Sequence, residues 1–181
     1  ILLTHFNAIT SENDMKPGPT HPTQEQYRWE RADAIANFCR ENGIKLRGHC
    51  LMWHNQTCQW MYEDQPSKEL LLARMREHIH TVVTRYKDVV YAWDVVNEAI
   101  TDDEKASDPY RQSEFYKIAG EDFIFKAFEY AREADPDAPS VDEGTLVATK
   151  TVGKITFNVY EMADGSHKLV VSGTGTIIAW T

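Results

Sequence analysis

The sequence predicts an α/β chain built on a parallel sheet and followed by an antiparallel β segment. Three observations carry that prediction. An apolar run from Val89 to Val96, rich in valine, has the length of one buried strand and ends in Asn97-Glu98. Strand-like and helix-like patterns alternate up to Ala134, which implies βαβ units. From Pro139 the composition changes and period-two alternation takes over.

The elements follow in order. Phe6 to Thr10 reads as a short strand, closed by the loop Ser11 to Pro19 with its Pro and Gly. Thr23 to Asn42 reads as a helix, with Tyr27, Ala34, Ile35 and Phe38 at helical spacing and Asn42-Gly43 as its stop. Ile44 to Trp53 is a second strand. Ser67 to Tyr86 is a second helix, with Ser67 as N-cap and Leu71, Met75, Ile79, Val82 and Val83 as its buried stripe. The valine-rich strand comes next and is expected to be apolar on both faces, as in a sheet covered by helices. Thr101 to Pro109 is acidic and irregular. Phe115 to Ala134 is a third helix, broken near Gly120 and ended by Asp135-Pro136. Beyond Pro139, Thr149 to Tyr160 alternates, Asp164-Gly165 is a hairpin signal, and Lys168 to Ser172 and Thr176 to Trp180 are strands. The expected divisions are residues 1–138 and a β-rich meander over 139–181.

Composition narrows the function classes. The 181 residues are 42% hydrophobic and 26% charged, enough for a packed core. A formal net charge of -9 disfavours nucleic acid and anionic membrane as partners, since both reward a basic surface. It suits a neutral polymer without demanding one. No apolar run is long enough to span a bilayer. Ile1-Leu2-Leu3 lacks the basic flank of a signal segment, so any such segment is expected to be gone already. Cys39, Cys50 and Cys58 are odd in number and form no CxxC pair; buried free thiols are expected for Cys39 and Cys50.

In a parallel sheet the loops after the strands gather on one face, where chemistry sits. Glu12, Asn13, Lys16, His49, Trp53, Asn97 and Glu98 converge there. Each has a plainer reading. The Asn-Glu pair also suits a helix cap or a solvated loop start, and Glu12-Asn13 with Lys16 also suits a solvated loop. His49 and His54 are five residues apart, which suits neither one strand face nor an i, i+4 pair. Hydrogen bonding to a polar ligand over Trp53 therefore fits better than zinc. A tryptophan and histidines filling a loop-covered core remain the other reading.

Three stretches together resemble a known family. Phe6-Asn7-Ala8-Ile9-Thr10-Ser11-Glu12-Asn13-Asp14-Met15-Lys16-Pro17, Leu46-Arg47-Gly48-His49 through Trp53-His54-Asn55-Gln56, and Trp93-Asp94-Val95-Val96-Asn97-Glu98-Ala99 are similar to the second, third and fourth strand motifs of glycoside hydrolase family 10, the retaining endo-β-1,4-xylanases. The resemblance covers residues 1 to about 138, with gut or rumen Bacteroidetes enzymes as the expected relatives. It implies a partial (β/α)8 barrel, covering about strands 2–4 with their helices. It implies Glu98 as general acid/base and Asn97 as the ligand of the sugar 2-hydroxyl. Glu12, Asn13 and Lys16 match ligands of the sugar on the non-reducing side, His49 and Trp53 the residues beneath that same sugar, and Gln56 a loop position near them. A retaining glycosidase needs an acid that protonates the leaving oxygen and then activates water.

The resemblance also implies what lies outside it. The family's fifth strand and the strand bearing its nucleophilic glutamate find no match here, and Cys58 stands where the family often has proline. Glu143 and Glu161 are candidates for the second carboxylate by residue type alone. A partial sheet exposes two edges and an apolar interior, so the meander or a second chain is expected to cover them. The resulting expectation is a homodimer, with exchange of the meanders between chains as one form of it. Xylan and xylo-oligosaccharides are the expected ligands, with no metal or organic cofactor required. The resemblance places such enzymes outside the cell or in the periplasm. The competing expectation is a xylan-binding remnant or fusion that holds sugar but turns it over poorly.

Overall fold

Three parallel strands carry the first part of the chain. The computed structural model describes residues 2–138, 145–152, 155–161 and 167–173. In it β1 (Ala8–Thr10), β2 (Lys45–Trp53) and β3 (Val90–Asn97) form one sheet in the order β1-β2-β3. Both pairings are parallel, with Thr10 opposite Arg47 and Trp53 opposite Asn97. All three strands therefore end on one side, which gathers their following loops. This is the α/β architecture expected, and it agrees with a partial barrel.

Helices precede, separate and follow these strands. They are α1 (Leu2–His5), α2 (Pro17–Thr20), α3 (Glu30–Asn42), α4 (Lys68–Tyr86), α5 (Glu114–Ala119) and α6 (Asp122–Ala134), with a 3-10 turn over Gln59–Tyr62. α1, α2 and the 3-10 turn are short pieces that hydrophobic periodicity does not reveal. β2 is central and its Leu46, Leu51 and Met52 are fully buried. Leu71, Met75, Ile79, Val82 and Val83 of α4 complete that core, as the stripe predicted. The Phe115 and Phe123 rings stack at 5.6 Å and join α5 to α6.

Ser67 starts α4 by accepting the Leu70 N–H on its hydroxyl at 3.3 Å, which satisfies one orphan donor of the first turn. Ser67→Ala is expected to lower stability by about 0.5–2 kcal/mol. The check is a shift of the urea midpoint with an unchanged slope.

Several boundaries differ from expectation. The first strand starts at Ala8, and Phe6 is exposed. The first long helix starts at Glu30 rather than Thr23. Thr23 and Gln26 form an isolated bridge instead, and the Tyr27 ring stacks between His21 and Trp29. Those aromatic contacts hold the segment out of the helix. The buried face of α3 is Ala32, Ala36 and Cys39, with Ile35 half-buried against the core, while Ala34 and Phe38 are exposed. Gly43 ends it at φ 63, a left-handed conformation that glycine adopts without strain. β3 is not buried on both faces. Val90 and Val95 are buried but Tyr91 is exposed, because β3 is an edge strand among the described residues. Gly120 divides the last helix into α5 and α6, and the Ser113 hydroxyl caps α5 by accepting the Tyr116 N–H at 3.2 Å.

Contacts divide the chain into 1–138 and 139–181. In the second unit β4 (Thr145–Val152), β5 (Ile155–Glu161) and β6 (His167–Gly173) pair antiparallel in sequence order. The alternating stretch Thr149 to Tyr160 is thus shared by two strands, with Val152 opposite Ile155. The Asp164-Gly165 turn, the strand Thr176 to Trp180 and Glu143 lie outside the described residues. No described helix is long and apolar enough to cross a membrane.

Candidate active site

The loop after β1 is folded by its own short polar side chains. The Ser11 hydroxyl accepts the Asp14 N–H at 3.0 Å, and the Asn13 carbonyl accepts the Lys16 N–H at 3.1 Å. This turn buries Lys16, leaving it 5% exposed, and aims its ammonium at the loop. Lys16 Nζ donates to Asn13 Oδ1 at 2.9 Å and sits 4.6 Å from the centre of the Trp53 ring. Glu12 is exposed in the same loop.

The loop after β2 is fastened to the first one. Gly18 N–H donates to the Gln56 carbonyl at 2.7 Å. A Cβ on Gly18 would lie 2.7 Å from that same oxygen, so only glycine allows the approach. The Gln56 side-chain amide reaches Asn13 Oδ1 at 3.4 Å. Trp53 ends β2 opposite Asn97, and its indole N–H donates to Glu98 Oε2 at 2.9 Å. Asn13, Lys16, Trp53, Gln56 and Glu98 therefore form one connected polar floor across three strand ends. Asn97 closes β3 beside it, half-buried.

His49 belongs to the same face, its ring centre 6.4 Å from that of Trp53. Its Nδ1 meets Asp94 Oδ2 at 3.0 Å, and Asp94 also pairs with the Arg47 guanidinium. Burial alone would raise the Asp94 carboxyl. The Arg47 and His49 hydrogen bonds outweigh it and hold the group below its usual range. Its stabilising contribution is thus present above the ordinary carboxylate pKa and lost as pH falls through the lower folded value. Asp94→Asn is expected to cost about 0.5–1 kcal/mol of stability, because Arg47 is half exposed. It should also loosen the His49 ring, which the imidazole NMR signals report directly.

Glu98 sits at φ 53, in the left-handed region. Its backbone is held from the following segment by Arg111, whose Nε donates to the Glu98 carbonyl at 3.0 Å. The Arg111 main-chain N–H donates to Ala99 O at 2.8 Å, and Nη2 reaches Ile100 O at 3.2 Å and Asp102 at 2.7 Å. The acidic loop is pinched shut by an Ile100–Tyr110 bridge. Sequence reading gave Arg111 no role, and a single arginine after an irregular loop carries no local signal. His54 Nε2 lies 3.8 Å from the same Glu98 oxygen. Burial, then the Arg111 charge, lowers His54 below the usual imidazole range against the pull of Glu98 and Asp102. At neutral pH it is an uncharged ring, and the contact is no ion pair.

His49 and His54 thus engage two different acids. Of the remaining predicted residues, Glu161 ends β5 in the second unit and Glu143 is not described. The assembled site offers the solvent-reaching carboxylates of Glu98 and Glu12, a buried ammonium, amides and an indole face. Those groups can exchange a proton at Glu98 and grip a hydroxylated ligand above Trp53.

Comparison with known proteins gives concordant matches. The model of Glycosyl hydrolase family 10 matches residues 1–141. An endo-1,4-beta-xylanase/feruloyl esterase of Xylanibacter ruminicola is 53% identical over 165 residues, covering 80% of this chain and 23% of that protein. Endo-1,4-beta-xylanase B of Paenibacillus barcinonensis is 49% identical over 138 residues, covering 74% and 41%. The solved structure of a psychrophilic glycoside hydrolase family 10 endo-beta-1,4-xylanase superposes with a TM-score of 0.71 at 58% identity, over 74% of this chain and 43% of that one. The chain spans less than half the length of each of these proteins.

Proposed function

Since the chain belongs to glycosyl hydrolase family 10, we propose that it supplies the acid/base and sugar-gripping part of an endo-β-1,4-xylanase. The observation that supports this most is the Trp53 indole N–H on Glu98 Oε2 at 2.9 Å, at the meeting of two strand ends. That contact aims a solvent-reaching carboxylate over a floor of hydroxyl-binding groups. In the proposed reaction Glu98 protonates the leaving xylosidic oxygen, then takes a proton from the incoming water. Asn97 meets the 2-hydroxyl, whose hydrogen bond strengthens as positive charge develops on the sugar. Lys16, Asn13, Glu12, His49 and Gln56 hold the non-reducing-side sugar over Trp53.

A retaining route needs a second carboxylate about 5–5.5 Å from the first. Its identity is read by trapping the glycosyl-enzyme with a 2-fluoro-xyloside and mapping the labelled peptide. Label on Glu143 or Glu161 would place it in the second unit. Xylan hydrolysis with retained product anomer supports the reading. Inverted product would replace the covalent step with direct water attack. Xylo-oligosaccharide binding without any release would instead support a sugar-binding remnant.

We also propose that the chain self-associates. The order β1-β2-β3 leaves β1 and β3 each with one unpaired edge among the described residues, and such edges seek partners. Light scattering checks this: a dimer is expected, and a monomer over the working concentration range rejects it.

A further inference from the structure

Two buried histidines meet nitrogen to nitrogen in a cluster that the proposed chemistry does not use. His21 follows α2, and its main-chain carbonyl accepts the Trp60 indole N–H at 3.0 Å. His78 projects from α4 into the core. His21 Nδ1 lies 3.1 Å from His78 Nδ1. The other His21 nitrogen, Nε2, lies 3.2 Å from the Gln24 carbonyl oxygen.

The protons in this arrangement can be counted. A neutral imidazole carries one N–H, and a carbonyl oxygen only accepts. With the His21 N–H on the Gln24 carbonyl, His21 Nδ1 turns a lone pair to the His78 ring. His78 Nδ1, 3.1 Å away, either donates to that lone pair or, in its other tautomer, offers a second lone pair beside it. A further proton would put an imidazolium where the rings are 0% and 1% exposed. Burying a charge without an ionic partner is costly.

A metal ion satisfies the same geometry. It accepts a lone pair from each Nδ1 once both rings carry their proton on Nε2, the tautomer that the Gln24 carbonyl favours for His21. A third donor is in place. Cys58 is buried, and its Sγ and the two ring nitrogens all lie within 4.8 Å of one another. Tetrahedral bonds of about 2.0–2.1 Å to two nitrogens put those nitrogens about 3.3 Å apart, close to the distance found. The rings are also clamped, since Tyr27 stacks on His21 at 3.7 Å and Trp60 meets it edge-on at 4.6 Å.

We propose that His21, Cys58 and His78 form a structural metal site for a cation that takes mixed imidazole and thiolate donors, Zn²⁺ first among them. One tetrahedral position remains for water. The ion would tie the segment after α2, the segment before the 3-10 turn and α4 into one unit. This inference does not depend on the xylanase reading, and its test does not use activity.

The full chain, stripped with chelator under reducing conditions, is titrated with zinc and then gel-filtered for metal analysis. About one Zn²⁺ per chain is expected, with a raised melting temperature. Co²⁺ in its place should give a thiolate-to-cobalt charge-transfer band. Cys58→Ser is nearly isosteric and should abolish that band and weaken zinc binding by about tenfold or more. Cys39→Ser should leave both unchanged. His78→Gln is the second variant, and zinc should no longer raise its melting temperature. Wild-type chain that retains no zinc overturns the proposal. So does zinc held equally well by Cys58→Ser, since the ion would then sit on surface histidines.

Discussion

On the proposed xylanase reading, Glu98→Gln is expected to lower reducing-sugar release from xylan by about 10²–10⁴-fold, the range that a positioned general acid contributes. Glutamine is the informative replacement. Its side-chain oxygen can still accept the Trp53 indole N–H that now reaches Glu98 Oε2 at 2.9 Å. The polar floor beneath the sugar then survives, and xylotriose affinity should change little while turnover collapses. The loss should depend on the leaving group. An aryl xylobioside with an acidic phenol needs little protonation, so the step that breaks its glycosidic bond should be much less impaired than xylan cleavage. Equal losses on both substrates would show that Glu98 holds the site together rather than moving a proton. Equal rates for variant and parent would remove it from the chemistry.

The second large effect is expected behind the site. Gly48 lies opposite Trp93 in the β2–β3 pairing, and a Cβ on it would fall 2.2 Å from Trp93 Cε3. The indole ring lies across the glycine and would have to move. Overpacking of this kind typically costs about 1–3 kcal/mol, sometimes more. The thermal midpoint of Gly48→Ala should therefore fall by roughly 2–8 °C for each kcal/mol. The strain should also reach the site, because Asp94 follows Trp93 and holds His49. A double-mutant cycle tests the cause. With the ring removed, Gly48→Ala should cost much less than it does in the parent. Simple additivity of Gly48→Ala and Trp93→Ala would mean that the ring is not what glycine makes room for.

What could be read from the sequence follows physical range. α4 was legible because its cap and its buried stripe are both local patterns within one helix. The strand ends were legible because Asn97-Glu98, Lys16 and Trp53 are residue types that carry chemistry, placed where parallel strands stop. The start of α3 was not. Thr23 to Trp29 has helix-like spacing, but its aromatic rings are taken by His21 and one another. Arg111 and the His21–His78 contact were equally hidden. The first acts across an irregular loop, and the second joins residues 57 apart, where no periodic signal exists. The exposure of Tyr91 was misjudged because an apolar run gives no sign of whether its strand lies at an edge.

The three free cysteines have a practical consequence. Cys39 lies on α3, Cys50 on β2 and Cys58 before the 3-10 turn, and all are buried. Burial pushes the Cys50 and Cys58 thiols up to about 12. A water-borne alkylating reagent can modify them only after the surrounding structure opens. Each sulfur is thus a fixed timer on a different piece of the fold. Mass spectrometry of partly labelled chain would read the three opening rates separately in one sample, without an activity assay.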